Sequence, residues 1–473
     1  MMLTRAFLSA AVKDMEFMGL GECSLGESPL SWTGFCIDSR LIRSGEFFVA
    51  LIGKKHNGHA FIADVVARGA IGLLIARSQK SCLDVLAPQV RDSLFIMIVE
   101  DTHSAFLAIA YAWRQKIKAS VVGITGSVGK TTTKEMLAAS VCASGKKCVA
   151  SEGNQNTLLG AALTIMRVRP EHDVVIFEMG ISKRGEMAEL VDLVKPTHAT
   201  ITTIGHSHLE GLGSYLDIVI EKRDIFSRFF SGNVGIINGD IPLLSNMSYN
   251  HPVVRVGQKM SNQIQARKVQ VSSHSISCVI KIYQEKYAVT LPTGHIGRVT
   301  NALSCIALGH SLGLPHDVLI ESVQKSYDVA GRFERRLSKK HDSFFINDCY
   351  NASPESMKTA LLTFERLDAQ GKKIAVIGDM LGLGVNSLFW HRQLGRFLRK
   401  VPSLSKVVFV GSSVEWANKT CPFGLERVCV PSWKEACKVL ESELSPQSLV
   451  LVKGSHDMGL SNLVDTFCVQ EGL

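Results

Sequence analysis

The chain of 473 residues has no Cys-X-X-Cys pair although it holds 12 cysteines, a combination that argues against a zinc ribbon or a disulfide framework. Cys82, Cys148, Cys305 and Cys421 lie far apart in the sequence, as expected of thiols in a reducing cytoplasm. Long apolar runs are lacking as well. No uncharged stretch approaches the roughly 18 residues of a membrane span, so no membrane insertion is expected. Basic runs are missing despite a formal net charge of +9, which disfavours nucleic acid and suits a smaller polyanion such as a nucleotide. Low-complexity segments and repeats of fixed period are absent too. The opening MMLTRAFLSAAVKDM carries one early Arg and a short apolar stretch broken by Ser9, without a cleavage site. It reads as a helix packed on a domain rather than a signal peptide.

What is present is ample material for cores: 46% hydrophobic residues against 20% charged. A single core stops growing at about 250–300 residues, so several domains are expected. Residues 47–51, 71–75 and 94–99 read as strands around a helix over 60–68, a small α/β unit. A helix over 104–118 leads to a strand at 121–124, a glycine loop and a helix from about Thr131. Strands at 174–177, 199–204 and 234–237, separated by helical patterns, continue a mostly parallel sheet, followed by a β-rich patch over 252–291 and a helix over 300–312. After the break Gly313-Leu314-Pro315, strands recur at 344–347, 374–377, 407–410 and 449–452. The expectation is an α/β chain of three domains, 1–100, 101–314 and 315–473, the last doubly wound.

The loop Gly126-Ser127-Val128-Gly129-Lys130-Thr131-Thr132 follows an apolar strand and opens a helix, so backbone N–H groups and a helix N-terminus face an anion there. Lys130 would neutralise β and γ phosphates of ATP, and the Thr131 hydroxyl would ligate Mg²⁺. Two residues separate the glycines where four are usual. Ligands of such sheets gather beyond the carboxyl ends of the strands, where Glu178 closes VVIF and His208 closes ITTIGHSH. Both are candidates to face the triphosphate and its metal.

Lys222 sits four residues after Ile218 and three before Ile225, in the middle of the apolar face of a helix expected over 215–230. A lysine there either snorkels or loses its charge, and a neutral amine can add CO₂ to become a carbamate, an oxygen ligand for Mg²⁺. Near the start, Asp38-Ser39-Arg40 and Asn57-Gly58-His59 lie in turns, and Ser39 with Arg40 could hold a phosphate or carboxylate. In the last domain Arg332 follows Gly331. Asp348 and Asn351 lie between a strand and a helix capped by Ser353, while Asp379 and Lys453 end neighbouring strands.

The segments DSR, GEFFVAL, GITGSVGKTTTKEML, EGNQN, FEMG, HSHLEGLGS, EKRDIF, HIGRVTNAL, GRFE, NDCYNASPESM, GDMLGLG and VLVKGS together resemble the Mur ligase family of peptidoglycan synthesis, over nearly the whole chain. The short loop GSVGKT is that family's form. The resemblance implies a UDP-substrate-binding domain, a central phosphate-loop ATPase domain and a C-terminal Rossmann-like domain. It implies ATP and two Mg²⁺ as cofactors, with UDP-N-acetylmuramoyl-tripeptide and D-alanyl-D-alanine as small-molecule substrates of a cytoplasmic monomer. By residue it implies Glu178 and His208 as Mg²⁺ ligands, Lys222 as the carbamylated lysine, and Ser39, Arg40 and His59 at the nucleotide-sugar end. Asn154, Asn301, Arg332, Asp348 and Asn351 then join the ATP contacts. His456 stands where many relatives have arginine, which leaves the dipeptide end open. Rival readings are a sister ligase adding one amino acid, although no DNPR-like signature is present; folylpolyglutamate synthase; and a phosphate-loop NTPase that ligates nothing.

Overall fold

The computed structural model describes residues 3–20, 32–272, 275–292, 295–325 and 329–468. Three sheets carry the chain, each with helices against it, as an α/β reading requires. Contact density divides it into two compact units: Met1–Val122 with Lys146–Met179 and Glu189–Pro196, and Gly123–Gly145 with Gly180–Ala188 and Thr197–Leu473.

The first sheet has five strands in the order Glu16–Gly19, Phe95–Val99, Gly72–Ala76, Glu46–Val49, Gly34–Cys36. All neighbours are parallel except the antiparallel edge strand Glu16–Gly19. Gly72–Ala76 and Phe95–Val99 are buried at every position, which is why their sequences are unbroken apolar runs rather than alternating ones. The opening stretch forms the helix Arg5–Ala11, N-capped by the Thr4 hydroxyl, with Phe7 edge-on to Trp113 at 5.6 Å. Helix Thr102–Arg114 is bound to this sheet through a hydrogen bond from Thr102 Oγ1 to Ala50 O, 2.8 Å.

Nine strands form the second sheet, in the order Glu285–Pro292, Ser275–Ile282, Ile264–Val271, Val253–Gly257, Val234–Asn238, His198–Ile201, Ser120–Thr125, Val174–Glu178, Cys148–Ala150. The β-rich patch expected over 252–291 resolves into four of these, ending in two antiparallel hairpin pairings. The third sheet has six strands, Glu334–Ser338, Ser343–Asn347, Leu449–Lys453, Lys373–Gly378, Lys406–Val410 and Glu426–Val430 in spatial order, parallel apart from the first. Its core joins Phe345, Ile374, Val376, Val408, Val450 and Val452 to Leu463, Val464 and Phe467 of the closing helix. The helix expected over 215–230 is shorter than the apolar pattern suggests. It runs Tyr215–Arg223, with a Ser214–Asp217 capping box, and tightens into a 3₁₀ turn over Asp224–Phe226.

Candidate active site

The strand Ser120–Thr125 delivers its chain into Gly126 at φ +150° and Gly129 at φ +92°, and the helix Lys130–Ala143 starts at once. A side chain at 129 would be strained by that φ and would also meet Asn301 Oδ1 at 2.3 Å. Thr203 accepts from Val128 N at 3.0 Å through its hydroxyl, which in turn donates to Val128 O at 2.9 Å, and the Thr202 hydroxyl donates to Val128 O at 2.6 Å. The loop is thus held from the end of the neighbouring strand by the protein's own side chains. Lys130 Nζ donates to Gly126 O at 2.9 Å, curling back over the loop. Thr131, 5% exposed, accepts a hydrogen bond from the Arg332 guanidinium at 2.7 Å, and that guanidinium lies 3.9 Å over the Tyr350 ring.

In the same unit Lys222 is 1% exposed, within the apolar face formed by Ile218, Val219, Ile225, Phe226 and Phe229. Burial first, then the charge of Lys130, hold its amine well below the ordinary lysine range, with Glu221 opposing. His208 has the left-handed backbone φ +57° as it enters the helix Leu209–Leu212. Burial, Lys130 and Lys222 pull its pKa down to about 4, so its imidazole is neutral near pH 7. Lys130 thus raises the cost of protonating both Lys222 and His208, and a negative charge placed beside them is favoured.

Glu178 belongs to the other unit. It is 1% exposed at the end of Val174–Glu178, where Asn156 Nδ2 donates to its Oε1 at 3.1 Å and Ser151 Oγ accepts from its backbone N at 3.2 Å. Asn154, expected among the ATP contacts, is exposed, and Asn156 two positions on donates to the Glu178 carboxylate. Ser39 is half-buried, and Arg40 is spread in solvent with its guanidinium paired to Asp38 at 2.6 and 2.9 Å. His59, expected at the nucleotide-sugar end, is held within the fold. It is 3% exposed, its Nδ1 lies 2.7 Å from Asn57 Oδ1, and its Nε2 accepts from Ala76 N at 2.9 Å. Both ring nitrogens are taken up in closing a turn onto a strand.

In the third sheet Lys453, 1% exposed, pairs with Asp348 Oδ2 at 2.7 Å and donates to Asn351 O at 2.9 Å, while Asp348 Oδ1 accepts from Phe333 N at 3.1 Å. Lys453 therefore ties the Asp348–Asn351 junction to the strand beside it. Asp379 turns instead to cap the loop at Ser412 N and Val414 N. Asn301 is 8% exposed with its amide oxygen against Gly129, supporting the loop. Sequence reasoning missed Thr202, Thr203, Asn156 and Ser151. The two threonines follow an apolar strand in ITTIGHSH, the rule that found His208, and were available from it.

A strand, a glycine loop with two left-handed or strained positions, a helix N-terminus carrying Lys130 and a buried lysine behind it define a phosphate-loop α/β protein. Residues 124–309 match the Mur ligase middle domain, and residues 331–456 match the Mur ligase glutamate ligase domain. The UDP-N-acetylmuramoyl-tripeptide–D-alanyl-D-alanine ligase of Treponema pallidum is 31% identical over 439 residues, covering 91% of this chain and 92% of its own. Among solved structures, MurF from Acinetobacter baumannii superposes with a TM-score of 0.81 at 25% identity, covering 98% of both chains. The MurF ligase of Thermotoga maritima in complex with ADP gives 0.76 at 26% identity, covering 93% of this chain and 97% of that one. The chain belongs to the Mur ligase family.

Proposed function

We propose that the chain is an ATP-dependent amide ligase that joins D-alanyl-D-alanine to the free carboxylate of UDP-N-acetylmuramoyl-tripeptide in peptidoglycan precursor synthesis. The observation that carries this reading is the phosphate loop with Lys130, His208 and the buried Lys222 gathered in one unit of a chain alike over its length to the dipeptide-adding ligases. The three domains, with boundaries at 100/101 and 314/315, take the UDP substrate, the ATP and the closing role in turn, in a cytoplasmic monomer.

The tripeptide carboxylate attacks the γ-phosphorus, a P–O bond forms as the bond to ADP breaks, and an acyl phosphate results. Lys130, the loop N–H groups and Arg332 offset the charge that builds on the phosphoryl oxygens. The dipeptide amine then attacks the acyl carbon, loses a proton, and the tetrahedral intermediate expels phosphate to leave the amide. Positioning and water exclusion supply most of the acceleration.

The Thr131 hydroxyl and Glu178 carboxylate are hard oxygen donors, buried, and suited to Mg²⁺. Among the described residues no group of three or more His, Cys, Asp or Glu forms a ready cage. Mg²⁺ commonly keeps waters and takes substrate phosphates beside one or two protein ligands. Thr131, Glu178, His208 and Lys222 as its carbamate would hold two such ions, which neutralise phosphate charge when bound. The carbamate forms as neutral Lys222 Nζ adds CO₂ and releases a proton.

Trapping tests the acyl phosphate. With tripeptide, ATP and hydroxylamine but no dipeptide, the tripeptide hydroxamate should accumulate. ADP formed without hydroxamate would point to simple hydrolysis and against the proposal.

A further inference from the structure

His206 takes no part in the steps above, yet both its backbone and its ring are held by named partners. Its backbone N–H donates to Glu355 Oε2 at 3.0 Å, and its ring Nδ1 lies 2.5 Å from Glu355 Oε1. The ring is stacked on Tyr215, centroids 4.7 Å apart at 28°, and tilted against Trp390 at 4.5 Å. Glu355 stands in the first turn of the helix Pro354–Arg366, whose strand neighbours belong to the third sheet. One residue before His206, Gly205 exchanges two hydrogen bonds with the phosphate loop. Ser127 Oγ donates to Gly205 O at 3.0 Å and accepts from Gly205 N at 2.9 Å. A Cβ at 205 would lie 2.7 Å from Glu355 Oε2, so glycine is what allows the carboxylate to come so close. Two residues after His206, His208 holds its left-handed φ of +57°, a conformation that persists in a non-glycine residue only where its surroundings impose it.

We infer that Glu355 and His206 are a positioning pair for ligation: through Glu355 the third domain fixes the segment Gly205–His208, and with it both Ser127 of the phosphate loop and the imidazole of His208. The inference rests on the ligase reading. Glu355 is 36% exposed and His206 28%, and polar side-chain contacts so open to solvent contribute little to global stability. Geometry at the reacting atoms is far more sensitive, since a displacement of about 1 Å can cost about a hundredfold in rate. A pair that only decorates the surface and a pair that sets the loop therefore differ in what their loss does.

The variants are Glu355→Ala, Glu355→Gln and His206→Phe, the last keeping the ring stack while removing Nδ1. Positioning predicts that Glu355→Ala and His206→Phe each lower kcat at least about tenfold, with KM for ATP within about twofold and the melting temperature nearly unchanged. The double variant should be no worse than the worse single one, and Glu355→Gln should recover part of kcat by accepting from His206 N–H. Amide hydrogen exchange over residues 205–208 should quicken in Glu355→Ala and stay as it was in Lys358→Ala, a neighbour on the same helix. Wild-type kcat in both single variants, losses that multiply in the double variant, losses that track melting temperature, or unchanged exchange would overturn the pair. Wild-type turnover indifferent to the dipeptide would instead sink the ligase reading, and the exchange measurement would still decide the pair.

Discussion

His59 and His391 do the same job in two different sheets. His59 Nε2 accepts from Ala76 N at 2.9 Å and His391 Nε2 accepts from Met380 N at 3.1 Å, each ring buried. Burial lowers both pKa values from the ordinary 6.5, with the folded state holding the neutral form. The unfolded chain then binds the extra protons first, so stability from these two rings is complete above about pH 6.5 and is lost as pH falls below it. Replacing His59 by Leu leaves the Ala76 N–H without its acceptor and should cost about 1–3 kcal/mol in urea unfolding at pH 7.5. The variant should also show a shallower loss of stability between pH 6.5 and 5 than the wild type. Sequence could not separate this role from a ligand contact, because Asn-Gly-His in a turn looks alike in both. Lys222 was legible for the opposite reason: helical phase alone puts it on a buried face, where the structure has it 1% exposed. Lys222→Ala should abolish turnover, and short carboxylates added to the assay should restore part of it if a carbamate is the working form. Failure of every carboxylate tried would count against the carbamate.

Among elements, the strands that sequence reasoning missed all lie at sheet edges. Glu16–Gly19 and Gly34–Cys36 flank the first sheet, Cys148–Ala150 closes one side of the second, and Glu334–Ser338 and Glu426–Val430 flank the third. They are short or carry charge, ERRLS and ERVCV for example, because an edge exposes one side to water and gains from charges that deter pairing. Interior strands such as Lys406–Val410 are buried throughout and leave a clear apolar run. The helix Tyr215–Arg223 was overextended because its 3₁₀ continuation keeps Ile225 and Phe226 buried in phase with it. The phosphate loop makes a prediction at this scale. Alanine at Gly129 adds left-handed strain of about 1–2 kcal/mol. It also presses on Asn301 Oδ1, 2.3 Å from the new methyl. ATP affinity should fall at least about tenfold by calorimetry, as one such energy step implies. An unchanged affinity would show that the loop does not hold phosphate in this conformation.

At the scale of the whole molecule, three α/β sheets in sequence order match the architecture expected from the rhythm of strands and helices. The catalytic reading needed more than rhythm. Thr202 and Thr203 bind the phosphate loop from a strand some 75 residues away, a pairing that only the folded sheet brings about. Asn156 and Ser151 reach Glu178 in the same way, across 22 and 27 residues. Nucleotide binding should stabilise the fold by mass action, so a nonhydrolysable ATP analogue should raise the melting temperature in a concentration-dependent manner, and Lys130→Ala should remove most of that rise. The most direct test of the account is ADP release measured with UDP-N-acetylmuramoyl-tripeptide and D-alanyl-D-alanine, each omitted in turn. An amide ligase releases ADP at its full steady rate only with both present and yields phosphate and the pentapeptide in equal amounts. Steady ADP release that ignores the omission of the dipeptide would contradict it.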